Sequence, residues 1–169
     1  MNDTTIVKPS GKILFGIDYL NLMRFMEIPD ENEKYDKDKV FVVDAVARLF
    51  LLQWDFSVEE IDEANHAFWE KANSNTLDEN ITTVIDRVAD FLKGDKQAQE
   101  KFLIEIAAIA QMDGIFLARE EQMKEWLQAK FDFRPSEMEV FYRKGWFWRV
   151  ALDFVGEKYI ELDKEKKAN

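Results

Sequence analysis

Three carboxylates are spaced so that they could hold a cation. Asp113 precedes Gly114 in "AQMDGIF", and Glu120 and Glu121 follow within about two helical turns. A hard cation such as Ca2+ takes about six to eight oxygens, several of them carboxylate. These three side chains with backbone carbonyls of the turn form a minimal set, and Asp55, Glu59 and Asp62 offer a similar one earlier in the chain. Neither has the dense Asp-x-Asp-x-Asp-Gly spacing of an EF-hand. The same residues also have a mechanical use, which that spacing favours. Asp113 would cap the following helix, Gly114 would take a positive φ, and Glu120 and Glu121 would favour the first turn of that helix through its dipole.

Other chemistry is harder to build. His66 is the one histidine, and on a helix it shares a face with Asp62 and Glu63. Di-metal bundles use such motifs in pairs from facing helices, and a second His is missing here. Every Ser or Thr nucleophile would have to share this one base. With no glycine-rich phosphate loop and no cysteine, no arrangement for catalysis emerges, and a non-enzyme is expected.

The densest aromatic run, "FYRKGWFWRVALDF" (141 to 154), could do recognition. At helical spacing Phe141, Gly145, Trp148 and Leu152 form one stripe, with Phe147, Ala151 and Phe154 beside it, and both read as core. Tyr142, Trp146 and Arg149 fall on a third face, with the composition of a protein-binding hot spot. Peripheral membrane association through this face is a weaker alternative, because one Arg-Lys pair does not offset so acidic a chain.

The elements that would position these residues are helical. "KILFGIDYLNLMRFMEI" has near-helical apolar spacing, and "VFVVDAVARLFLLQW" is apolar on most faces, as a central helix would be. Ser57 with Glu60 forms a capping box ahead of "VEEIDEANHAFWEKAN". Thr76 with Glu79, and Ser136 with Glu139 after Pro135, predict two more helix starts. Gly94 predicts a helix end. The expectation is an all-α, single-domain bundle of about seven helices over residues 12–156, between a mobile segment 1–11 and a charged tail 157–169.

Composition agrees. With 47% apolar residues the chain can build a core, and with only 6 Gly and 3 Pro it lacks the punctuation of an all-β fold. The 34 acidic against 23 basic residues give a net charge of −11, which repels phosphate backbones and argues against nucleic-acid binding. No run approaches the roughly 20 apolar residues of a membrane span, and no signal core opens the chain, so a cytoplasmic location is expected.

Residues 43–73 also resemble residues 101–131 when Asp55 is laid on Asp113. Gln53 then meets Gln111, Asp62 meets Glu120, Glu63 meets Glu121 and Phe68 meets Trp126, which reads as a pseudo-repeat of helical hairpins. The second copy, "IAAIAQMDGIFLAREEQMKEWL", resembles the core signature of the TerB-like (tellurite-resistance) family. There a helix ends in Ala-x-x-Asp-Gly and a Glu opens the next; here these are Ala110, Asp113, Gly114 and Glu120. Ile115 departs from the pattern where an acidic residue is common, Leu117 where a capping Ser or Asp is, and Phe56 stands for the Gly in the first copy. The resemblance implies a non-catalytic module of tellurite-resistance, stress-response or phage-defence type. The resemblance implies binding of protein partners, or of a divalent metal such as Ca2+ at the acidic turns. The alternative from another class is an acidic inhibitor, a nucleic-acid mimic or an immunity protein against a basic toxin.

Overall fold

The computed structural model describes residues 10–26, 41–74, 76, 80–111, 118–148 and 150–151. Among them the chain is all-helical, with seven helices and no strand. The helices are α1 (Gly11–Phe25), α2 (Phe41–Leu52), α3 (Val58–Asn73), α4 (Ile81–Phe91), α5 (Lys96–Ala110), α6 (Ala118–Phe131) and α7 (135–148). They fall into two compact units, Met1–Lys93 with α1 to α4 and Gly94–Asn169 with α5 to α7.

In the first unit α1 packs against α2, α3 and α4 and is buried on nearly every face. Phe15, Tyr19, Leu20 and Met23 of α1 are buried in its core, as are Phe50, Phe68, Ile85 and Val88 of the other three helices. Phe15 stacks on Phe91 at 4.3 Å between ring centres and meets Trp54 at 5.3 Å. Gly16 lets the helices come together, because a Cβ there would lie 2.9 Å from the Phe56 ring and 3.0 Å from Ala64 Cβ. Two buried charges of α1 are answered by other helices. Asp18 accepts two hydrogen bonds from Arg87 of α4, both 2.8 Å. Arg24 pairs with Asp44, donates to Asn65 Oδ1 at 2.7 Å, and lies 4.1 Å from the centre of the Phe68 ring. An unpaired charge there would be very costly, so these partners are a condition of burial.

In the second unit α5 is the buried helix. Phe102 meets Phe131 of α6 edge-on at 6.3 Å, and Phe133 meets Phe141 of α7 at 5.0 Å. Gly145 gives α7 its close approach to α5. A Cβ at that residue would stand 2.7 Å from both Ala107 Cβ and the Ala108 backbone nitrogen.

The Ser57–Glu60 capping box forms as expected; α4 ends at Phe91 with Leu92 as its C-cap, and Gly94 follows in the turn at φ 82°. Two starts differ. α4 begins at Ile81 behind Asn80, because Thr76 turns back to the end of α3: its N–H donates to Lys71 O at 2.9 Å, and its hydroxyl meets that of Ser74 at 2.8 Å. Glu79 lies outside the described residues. At α7, Pro135 occupies the first helical position, where its missing N–H costs nothing. The third helical residue, Glu137, then accepts from Arg134 N at 2.8 Å, two residues ahead of the expected Glu139.

The hairpins α2–α3 and α5–α6 share a burial pattern, shifted by one residue from the alignment by identity. Val43, Val46, Ala47, Phe50 and Leu51 correspond to Phe102, Glu105, Ile106, Ile109 and Ala110, all buried. Ile61, Ala64 and Phe68 correspond to Glu120, Met123 and Leu127, also all buried. In this register Asp55 meets Gly114 rather than Asp113, and Glu120 takes a core position.

Candidate functional site

The first acidic turn is well described. Asp55 joins α2 to α3 in the left-handed region, φ 58°, a conformation that Asp tolerates better than most side chains. Lys12 Nζ secures the joint, donating to Asp55 O at 2.6 Å and to Glu60 Oε2 at 2.7 Å. Lys12 and the Ser57 amide hold the Glu60 carboxyl below its ordinary pKa. Glu59 is also held low, through its own backbone amide and the Ser57 hydroxyl. Asp55, Glu59 and Asp62 are all exposed. His66 is exposed too, with Nε2 3.3 Å from Glu70. Among the described residues no three acidic, histidine or cysteine side chains gather as a metal would require.

At the second turn, Asp113 and Gly114 lie outside the described residues. Glu120 and Glu121 open α6 as neighbours with opposite fates. Glu120 is 1% exposed, while Glu121 is exposed and pairs with Lys124 at 3.4 Å. Glu105 of α5 is a second buried carboxylate in this unit. Sequence reading missed it, because a lone Glu in "FLIEIAAIA" resembles a solvent-facing break in an apolar helix. In the register set by burial it corresponds to Val46, as Glu120 does to Ile61, whereas the register set by identity lays Glu120 on Asp62 and gives no such signal.

The aromatic run of α7 is exposed beyond Gly145. Phe141 and Gly145 are buried, as expected of the core stripe, but Trp148, Phe147 and Ala151 are exposed and are not core. The helix buries only the side near its crossing with α5; every described residue after Gly145 is exposed. On the face expected to recognise a partner, Trp146 is 46% exposed, whereas Tyr142 is only partly so. Burial raises the Tyr142 phenol pKa well above its ordinary value, and the charges of Glu121 and Glu120 add to the effect. Arg149 lies outside the described residues.

A groove of about 410 Å3 runs along this face, lined by Gln111, Glu139, Tyr142, Arg143, Trp146 and Phe147. Gln111, at the end of α5, donates from its side-chain nitrogen to Ala107 O at 2.7 Å and Tyr142 O at 3.0 Å, fixing one wall. Arg143 donates to Glu139 at 2.6 Å along the helix. The Trp146 and Phe147 rings stand at 72° with centres 5.4 Å apart. Aromatic faces beside one carboxylate and one guanidinium can bind an apolar or cationic group; nothing in this lining provides a nucleophile with a base.

Neither a family model, nor a curated protein, nor a solved structure matches this chain.

Proposed function

We propose that this chain is a non-catalytic binding module whose protein partner docks on the exposed C-terminal part of α7. One observation carries the reading: Trp146, Phe147, Trp148 and Val150 are between 43% and 68% exposed at one end of one helix. Large apolar side chains are rarely left together in water without use, and Trp is enriched among residues that dominate interfaces. The stress-response or defence setting is proposed from the residue pattern alone, through the resemblance of Ala110, Asp113, Gly114 and Glu120 to the TerB-like signature.

Affinity capture from the native cell with wild type and with Trp146→Ala/Phe147→Ala tests the reading. A protein held by wild type and lost by the double variant, at unchanged melting temperature, supports it. Equal capture by both rejects it.

A divalent cation at the Asp113 turn is a second reading, favoured by Glu120, whose carboxylate is buried at the start of α6. Calorimetry with Ca2+, Mg2+, Mn2+ and Zn2+ tests it. Heat that Asp113→Asn removes supports this reading, and no binding of any of the four at millimolar concentration rejects it.

A further inference from the structure

We infer that the α7 groove receives a cationic side chain, an arginine or lysine in a basic segment of the protein partner. The cation would lie against the Trp146 and Phe147 rings, with Glu139 as counter-ion. This rests on the docking reading above and specifies its chemistry.

The lining selects for positive charge. Aromatic rings carry negative potential on their faces, so a cation over them is attracted and an anion repelled. Two exposed rings, at 72° with centres 5.4 Å apart, line the groove. Glu139 and Arg143 bring one charge of each sign to the groove and are paired with each other, so the rings decide which sign is favoured. Gln111 brings the C-terminal end of α5, where helix carbonyls add partial negative charge. An anion would have to take Arg143 from Glu139 and would then meet the ring faces unfavourably, and the Gln111 side-chain nitrogen is committed to two carbonyls.

The chain uses the same contact internally. Lys12 lies 4.9 Å from the centre of the Phe56 ring, Arg24 4.1 Å from Phe68, Lys96 4.4 Å from Phe133 and Lys124 4.8 Å from Tyr142. The Tyr142 ring, which takes Lys124, is itself part of the groove lining. Arg143 is the internal competitor. Its side chain is 74% exposed, so its pair with Glu139 is readily exchanged for one with an incoming cation. The volume of about 410 Å3 is within the range of ligand pockets and holds a long side chain with its neighbours.

The test uses the full chain, with the Trp146 indole NMR signal identified through Trp146→Phe. The probes are two short peptides, Ac-Gly-Leu-Arg-Leu-Gly-amide and the same peptide with neutral, near-isosteric citrulline for arginine. The inference predicts that the arginine peptide moves the Trp146 signal and binds about tenfold more tightly than the citrulline peptide, with the difference shrinking in salt. Glu139→Gln should shrink that difference several-fold, and Arg143→Gln should widen it by freeing the carboxylate. Equal binding of both peptides at Trp146 overturns the cation inference and leaves the docking reading standing. No movement of the Trp146 signal with either peptide also overturns the inference, while partner capture decides the docking reading independently. A Trp146 signal that moves on diluting the protein alone assigns the face to a second copy, and that too overturns it.

Discussion

Glu120 of α6 holds the buried position that Ile61 of α3 holds in the first hairpin. The register that pairs them also pairs Glu105 with Val46, and every residue of α2 described as buried with a buried residue of α5. The two hairpins therefore share a packing plan, and the second places carboxylates at two of its core positions. Burying a carboxylate is costly unless other groups answer it, so these are positions where substitution should be felt.

Glu120 and Glu121 should respond very differently to truncation. Glu120→Ala removes a buried side chain and strands whatever polar groups it meets, a loss on the order of 2–4 kcal/mol. Glu121→Ala, on an exposed face, should cost under about 0.5 kcal/mol. Urea unfolding of the two variants checks this; equal costs would refute the assigned burial.

Gly145→Ala should destabilise the second unit, although alanine in a helix ordinarily gains about 1 kcal/mol over glycine. The new methyl would meet α5 backbone at 2.7 Å, so α7 must move, at a cost of about 1–3 kcal/mol. Gly11→Ala is the control, because nothing lies within 4 Å of a Cβ there. Thermal unfolding should move downward for the first variant and not for the second.

The cap at Ser57 should show in acid. Glu60 has its pKa lowered from 4.5 by Lys12 and the Ser57 amide. A depressed carboxylate contributes stability that is present above its unfolded value and is lost as pH falls through the folded value. The stability gap between wild type and Glu60→Gln should therefore be full near neutrality and close progressively below about pH 4.5. Denaturant unfolding at several pH values measures it, and a gap that widens toward acid would contradict the cap.

Much of this fold was legible because local signals agreed. Periodicity marked the helices, Ser57 with Glu60 marked the start of α3, and Gly94 marked the turn after α4. What stayed hidden depended on distant partners. Arg24 in "NLMRFM" gives no sign that Asp44, Asn65 and Phe68 surround it, since those contacts are made only when α1, α2 and α3 meet. Thr76 followed by Glu79 has the spacing of a helix start, yet hydrogen bonds to the end of α3 were the stronger competitor. The hairpin repeat was visible, but matching identities set its register one residue away from matching burial. In α7 the density of aromatic residues suggested core at Phe147 and Trp148. Composition does not reveal that a helix runs on past the neighbour that would cover it.

Site-specific photocrosslinking from α7 tests the central claim most directly. Benzoyl-phenylalanine in place of Phe147, 68% exposed, is compared in the native cell with the same group in place of Leu49, 54% exposed on α2. The account predicts one dominant protein adduct from position 147 that Trp146→Ala removes, and no matching adduct from position 49. The same adducts from both positions, or none from position 147, would contradict it.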